Sequence, residues 1–147
     1  MEMTCKDPVF GEMAYRHRWY KTIKLYMFGK EWDVGVAAKA YSGKSITEEQ
    51  RRSYSEFFDK IEAMVDIIGE NIKKYVNENL YELATDWIGA RSVGSVNELA
   101  QMVVPKTLLF KQDGTTIMLF DCVWDEEHGI AVKTIPEIAI GSQDIFL

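Results

Sequence analysis

The chain has 147 residues, 47% hydrophobic and 27% charged, with four Trp, seven Tyr and seven Phe; this fits one folded domain over 1–147 and excludes a disordered chain, which would be poor in aromatics. The formal charge of −6 is uneven, because residues 1–74 carry 13 Lys and Arg against 12 Asp and Glu, whereas 75–147 carry 4 against 11. An acidic half repels phosphate backbones and attracts basic surfaces, so nucleic acid is not expected as a partner and a basic protein is.

The opening Met1 to Pro8 is polar, and no apolar run approaches the roughly 18 residues of a membrane span. Neither a secretory signal nor a membrane partner is therefore expected. Cys5 and Cys122 stand in unrelated contexts without the short spacing of a zinc knuckle, which favours a reducing, cytoplasmic setting. No cofactor fingerprint occurs, and none is expected to bind.

Along the chain, Val9 to Tyr15 reads as a strand with Gly11 at an edge or bulge. Trp19 to Met27 alternates, with Ile23, Leu25 and Met27 on one side and Thr22, Lys24 and Tyr26 on the other. A turn at Phe28, Gly29 and Lys30 leads into a second alternating run around Trp32, Val34, Val36 and Ala38, predicting a hairpin. Ser42, Gly43 and Lys44 break the pattern. Thr47 and Gln50 have capping-box spacing, and from Glu48 to Asn79 apolar residues recur every three or four positions, as in a helix with one buried stripe. Unbroken, it would be about 50 Å long, so a break near Gly69 is expected. No pattern identifies the conformation of Leu80 to Gly94.

Ser95 and Glu98 repeat the capping-box spacing and predict a short helix ended before Pro105. Thr107 to Phe110 and Thr115 to Trp124 flank Asp113-Gly114, a hairpin signal; Gly129 to Lys133 and Ile138 to Ile140 complete the strands. The expected fold is α+β: an antiparallel β-sheet meander packed against a long, broken α-helix, in the order β-β-β-α-α-β-β-β-β.

The densest polar group is Asp121, Asp125, Glu126, Glu127 and His128, an oxygen and imidazole set of the kind that ligates divalent cations. It lacks an EF-hand pattern or a helical His pair, and the plainer reading is a solvated turn whose carboxylates cap backbone amides. Alternation puts Asp121 beside Ile117, Leu119 and Val123, where an unpaired carboxylate would be costly, so a hydrogen-bonding or cationic partner is expected. Three carboxylates around His128 favour its charged form, while Cys122 shares the Met118, Phe120 and Trp124 face, where a thiol is inert. Arg16, His17, Arg18, Trp19 and Tyr20 form a basic, aromatic strand end with the residue types of an anion site.

The run Leu119 to Val132, which contains Phe120-Asp121, Trp124-Asp125-Glu126-Glu127-His128-Gly129 and Val132, together with Gly141-Ser142-Gln143-Asp144, resembles a family of small bacterial domains of unknown function. Pro8 to Gly11 and Leu25 to Trp32 extend the likeness over most of the chain. In size such domains resemble immunity-type proteins that act by binding a toxin. The skewed charge and the lack of a catalytic set point to a non-catalytic protein-binding module that uses Asp125 to His128 and nearby strand edges, and the resemblance implies an immunity-type role for it. The alternative is a metal- or small-ligand-binding enzyme in which Asp121, Asp125 and His128 converge.

Overall fold

The computed structural model describes residues 3–41 and 44–147. Ser42 and Gly43, part of the expected break, lie outside the described residues, as do Met1 and Glu2 of the polar tail. Four strands come first: β1 (Met3–Asp7), β2 (Gly11–Tyr15), β3 (Trp19–Met27) and β4 (Lys30–Ala38). The helices α1 (Glu48–Asp59), α2 (Ile61–Glu78) and α3 (Leu80–Asp86) follow, then a 3₁₀ helix over Val96–Gln101. The strands β5 (Val103–Phe110), β6 (Thr116–Cys122), β7 (Ile130–Ile135) and β8 (Ala139–Ser142) complete the sheet, ahead of a last 3₁₀ turn over Gln143–Ile145.

This overturns the expected fold in three respects. The sheet is mixed: its eight strands lie in sequence order, but β4 pairs β5 in parallel, with Gly35 opposite Thr107 and Ala38 opposite Phe110. The helices form the crossover that such a parallel connection requires. Secondly, among the described residues there is no long helix. The break falls at Lys60, whose φ of −120° and ψ of 33° interrupt the helical path between α1 and α2. Gly69 stays helical inside α2, buried where a Cβ would meet Val96 Cγ1 at 2.6 Å; it serves close packing and not bending. Thirdly, the element order differs, because β1 precedes the strand expected at Val9 to Tyr15 and α3 occupies part of the segment without a sequence pattern. Pro105 lies within β5, at an irregularity in the pairing with β6 where a missing N–H is tolerated.

Local chemistry explains the elements that do match. Thr47 Oγ1 accepts from the Gln50 amide at 3.1 Å while Gln50 Oε1 accepts from the Thr47 amide at 2.8 Å, closing the capping box of α1. Phe57, Ile68, Ile72 and Val76 are buried against Val36, Leu108, Phe110, Met118, Phe120 and Val132. Each such side chain contributes about 2 kcal/mol through removal from water. Ile117, Leu119 and Ala131 form a smaller cluster of their own, against which Phe146 packs. Among the described residues, no helix is long and apolar enough to cross a membrane.

Candidate functional site

The turn between β6 and β7 is organised by Asp125. Its Oδ1 accepts the His128 backbone N–H at 3.0 Å and lies 3.2 Å from His128 Nδ1, and its carbonyl accepts the Gly129 N–H at 2.8 Å. The chain can turn there because Gly129 adopts a φ of +67°, with no room for a side chain: a Cβ would stand 2.3 Å from the Phe120 carbonyl oxygen. Gln143 Nε2 donates to that same oxygen at 2.8 Å, tying the C-terminal 3₁₀ turn to the back of the loop.

Facing this turn stand Tyr75 from α2 and Glu82 and Leu83 from α3. Together with Trp124, Asp125, Glu127, His128, Gly129, Ile130 and Ser142 they enclose a cleft of about 400 Å³. The Trp124 ring lies 6.4 Å from that of Tyr75 and 5.9 Å from that of Trp87, centroid to centroid. The chain beyond α3 is held by Asn77, whose side chain both accepts from the Val93 amide (2.7 Å) and donates to the Val93 carbonyl (3.0 Å).

The cleft is acidic. Glu82, Asp125 and Glu127 line it without any Lys or Arg, and neither Glu82 nor Glu127 has an ion-pair partner among the described residues. Burial, then the nearby Cys122 and Asp125, push the Tyr75 phenol up, so it remains a neutral hydrogen-bonding group. At the outer end, the Ser142 hydroxyl and, more weakly, His128 hold the Asp144 carboxyl below its ordinary value.

The five residues singled out by sequence divide into two groups. Asp125, Glu127 and His128 line the cleft, whereas Asp121 and Glu126 border a separate depression with Gln101, Met102 and Val104. Asp121 is not on a buried surface as alternation suggested: its side chain is 63% exposed and its partner is Lys106, with Nζ 3.7 Å away. The Phe146 cover over Ile117 and Leu119 does not reach that far along β6. Hence Asp121 does not converge with Asp125 and His128, and among the described residues no three His, Cys, Asp or Glu side chains are placed to hold a metal ion together.

Cys122 offers no nucleophile beside His128. It is buried, its Sγ lies 3.6 Å from the Asp125 carbonyl, and desolvation pushes its pKa up to about 11. The basic strand end is not an aromatic platform either, since Trp19 is buried and its ring stands 5.2 Å from that of Tyr15. Sequence reasoning missed Tyr75 and Glu82 as cleft residues. Tyr75 follows Ile72 by three positions at the margin of the α2 stripe, which is a readable signal; Glu82 falls in the patternless segment and has none.

A family model described as a domain of unknown function, DUF6985, matches residues 9–147. The chain belongs to the DUF6985 family. No curated protein and no solved structure matches it. The DUF6985 match begins after β1 and spans both walls of the cleft, so Tyr75, Glu82 and the Asp125 to His128 turn all lie inside the family domain.

Proposed function

We propose that this DUF6985 domain is a non-catalytic protein-binding module that receives a basic side chain of its partner in the cleft between α3 and the β6–β7 turn. One observation carries the reading: three carboxylates and the rings of Tyr75 and Trp124 line a concave site that contains no Lys or Arg. An arginine or lysine entering there gains charge-assisted hydrogen bonds from Glu82 and Glu127 and contact with aromatic surface. The surrounding acidic half would speed its approach and disfavour acidic competitors.

The specific form of this proposal is an immunity-type role in the bacterial cytoplasm, with a basic toxin as the partner. The resemblance to small immunity-type proteins supports it, and the two free cysteines suit a reducing compartment. The test is co-purification with proteins encoded beside its gene, followed by binding measurements on Glu82→Lys/Glu127→Lys. The double reversal should weaken binding by about 100-fold, and added salt should weaken the parent complex. A partner that binds the double variant as tightly as the parent removes the cleft from the interface.

A further inference from the structure

The strand β3 is only partly covered by its neighbours. Its pairing with β4 runs the whole length from Trp19 to Met27, but its pairing with β2 stops after Trp19 and Tyr20. The two strands are joined by Phe28 and Gly29 at φ values of 57° and 78°, a two-residue turn that makes Met27 and Lys30 a hydrogen-bonded pair. Alternation from that pair makes Met27, Leu25, Ile23 and Lys21 direct their amides and carbonyls towards β4. Thr22, Lys24 and Tyr26 direct theirs the other way, towards the β2 side, where no strand among the described residues pairs with them.

Beside this open edge is an apolar groove of about 520 Å³, formed by Leu25 and Tyr26 of β3 and by Ile61 and Val65 of α2. Val65 and Tyr26 also border its continuation towards Phe28 and Val96. Carboxylates edge both parts: Glu62 and Asp66 along the first, Asp66 and Glu70 along the second, one helical turn apart, with no Lys or Arg among the lining residues. None of the three has an ion-pair partner among the described residues. The nearby cation of Lys24 is already neutralised by Asp33 at 2.5 Å.

We propose that the Thr22 to Tyr26 edge of β3 is a strand-addition site that accepts an extended, cationic segment of a protein partner. The added strand takes up the outward amides and carbonyls of Thr22, Lys24 and Tyr26, and on its face turned to α2 it alternates apolar side chains over Leu25, Ile61 and Val65 with cations set against Glu62, Asp66 and Glu70. Backbone pairing supplies affinity and the alternate side chains supply selectivity. An exposed edge of this kind would otherwise invite unselective association. The site is separate from the acidic cleft, which is built from the far end of α2, from α3 and from the β6–β7 turn.

The test is amide-resolved NMR with a capped peptide of about seven residues in which Val and Lys take turns along one face and Thr fills the other (the Val/Lys peptide), at millimolar concentration, against the same peptide with Glu in place of Lys (the Val/Glu peptide). The Val/Lys peptide is expected to shift the resonances of Thr22 to Tyr26 and Val65 and to slow amide exchange at Thr22, Lys24 and Tyr26 by about tenfold. Lys24→Pro, which removes an outward N–H without breaking the β4 ladder, should abolish the protection. If that variant does not fold, Glu62→Lys/Asp66→Lys on the exposed helix surface should transfer the preference to the Val/Glu peptide. No shift at the β3 edge, equal response to both peptides, shifts confined to the Asp125 to His128 cleft, or protection that grows with protein concentration alone as in a second copy pairing there would each overturn the proposal.

Discussion

Nε and Nη2 of Arg51, on the first turns of α1, both lie 2.8 Å from Oδ1 of Asp7, the last residue of β1. Asp7 Oδ2 accepts the amides of Val9 and Phe10 at 2.9 and 3.0 Å, so one carboxylate fastens the β1–β2 turn to the helix layer. Its side chain is only 3% exposed and that of Arg51 is 22% exposed. Burial by itself would raise the Asp7 pKa; the guanidinium and the two amides outweigh it and hold the carboxyl below its ordinary value.

A lowered native pKa means that the unfolded chain takes up the proton more readily. The stabilisation is therefore complete above the unfolded value of 3.8 and is lost as pH falls through the lower native one. Arg51→Met leaves a buried carboxylate without its cation and should cost about 3 kcal/mol at pH 7. Urea unfolding of the parent and the variant should show that gap narrowing in acid and closing only below 3.8, once Asp7 is neutral in both. A gap that does not vary with pH would mean that Arg51 acts through packing alone.

Gln50 closes a second link between layers. It is fully buried, and its Nε2 donates to the carbonyls of Lys39 (2.8 Å) and Phe110 (3.0 Å) at the ends of the parallel pair β4 and β5. Gln50→Ala should cost about 2 kcal/mol by leaving buried acceptors short of a donor. Gln50→Glu keeps the capping oxygen but sets a carboxylate against two carbonyls, so it should be at least as damaging at pH 7 and recover in mild acid, where a protonated carboxyl donates again. Chemical denaturation at pH 7 and pH 5 separates the two effects; equal losses at both values would refute the donor role.

Gly129 fixes the shape of the acidic cleft. With φ at +67° and the Phe120 oxygen and Gln143 Nε2 at 2.3 and 2.5 Å from any Cβ, Gly129→Ala should lose more than about 2 kcal/mol. The loss should extend to the C terminus, because Gln143 anchors the turn that lays Phe146 over Ile117 and Leu119. Gln143→Ala, without the backbone strain, should leave most of the stability while speeding proteolysis near residue 143. A protease-resistant Gln143→Ala would show that Phe146 holds the tail unaided.

The thiol of Cys122, with a pKa pushed up to about 11 by burial, should be silent to Ellman's reagent at pH 8 in the native protein and titrate only on unfolding. Cys5 is half-buried, and desolvation, followed by the Asp7 charge, raises its pKa as well. A stopped-flow trace with a fast phase retained in Cys5→Ser would show Cys122 to be accessible and would reopen thiol chemistry beside His128.

Features that depend on neighbours along the chain were legible from residue order. Strand β3 was readable from its two-residue alternation, the start of α1 from Thr47 and Gln50, and the β5–β6 hairpin from Asp113-Gly114, because side-chain periodicity, caps and positive φ act within a few residues. The break at Lys60 was misplaced to Gly69 because glycine marks either a hinge or a close approach, and only the position of Val96 decides which. Only packing between distant segments makes β4 and β5 run parallel, turns Asp121 to Lys106 and solvent, and brings Asp125, Glu127 and His128 to Tyr75 and Glu82 across a cleft. Those relationships join residues well separated along the chain, and the burial that selects among them is non-directional and leaves no local pattern.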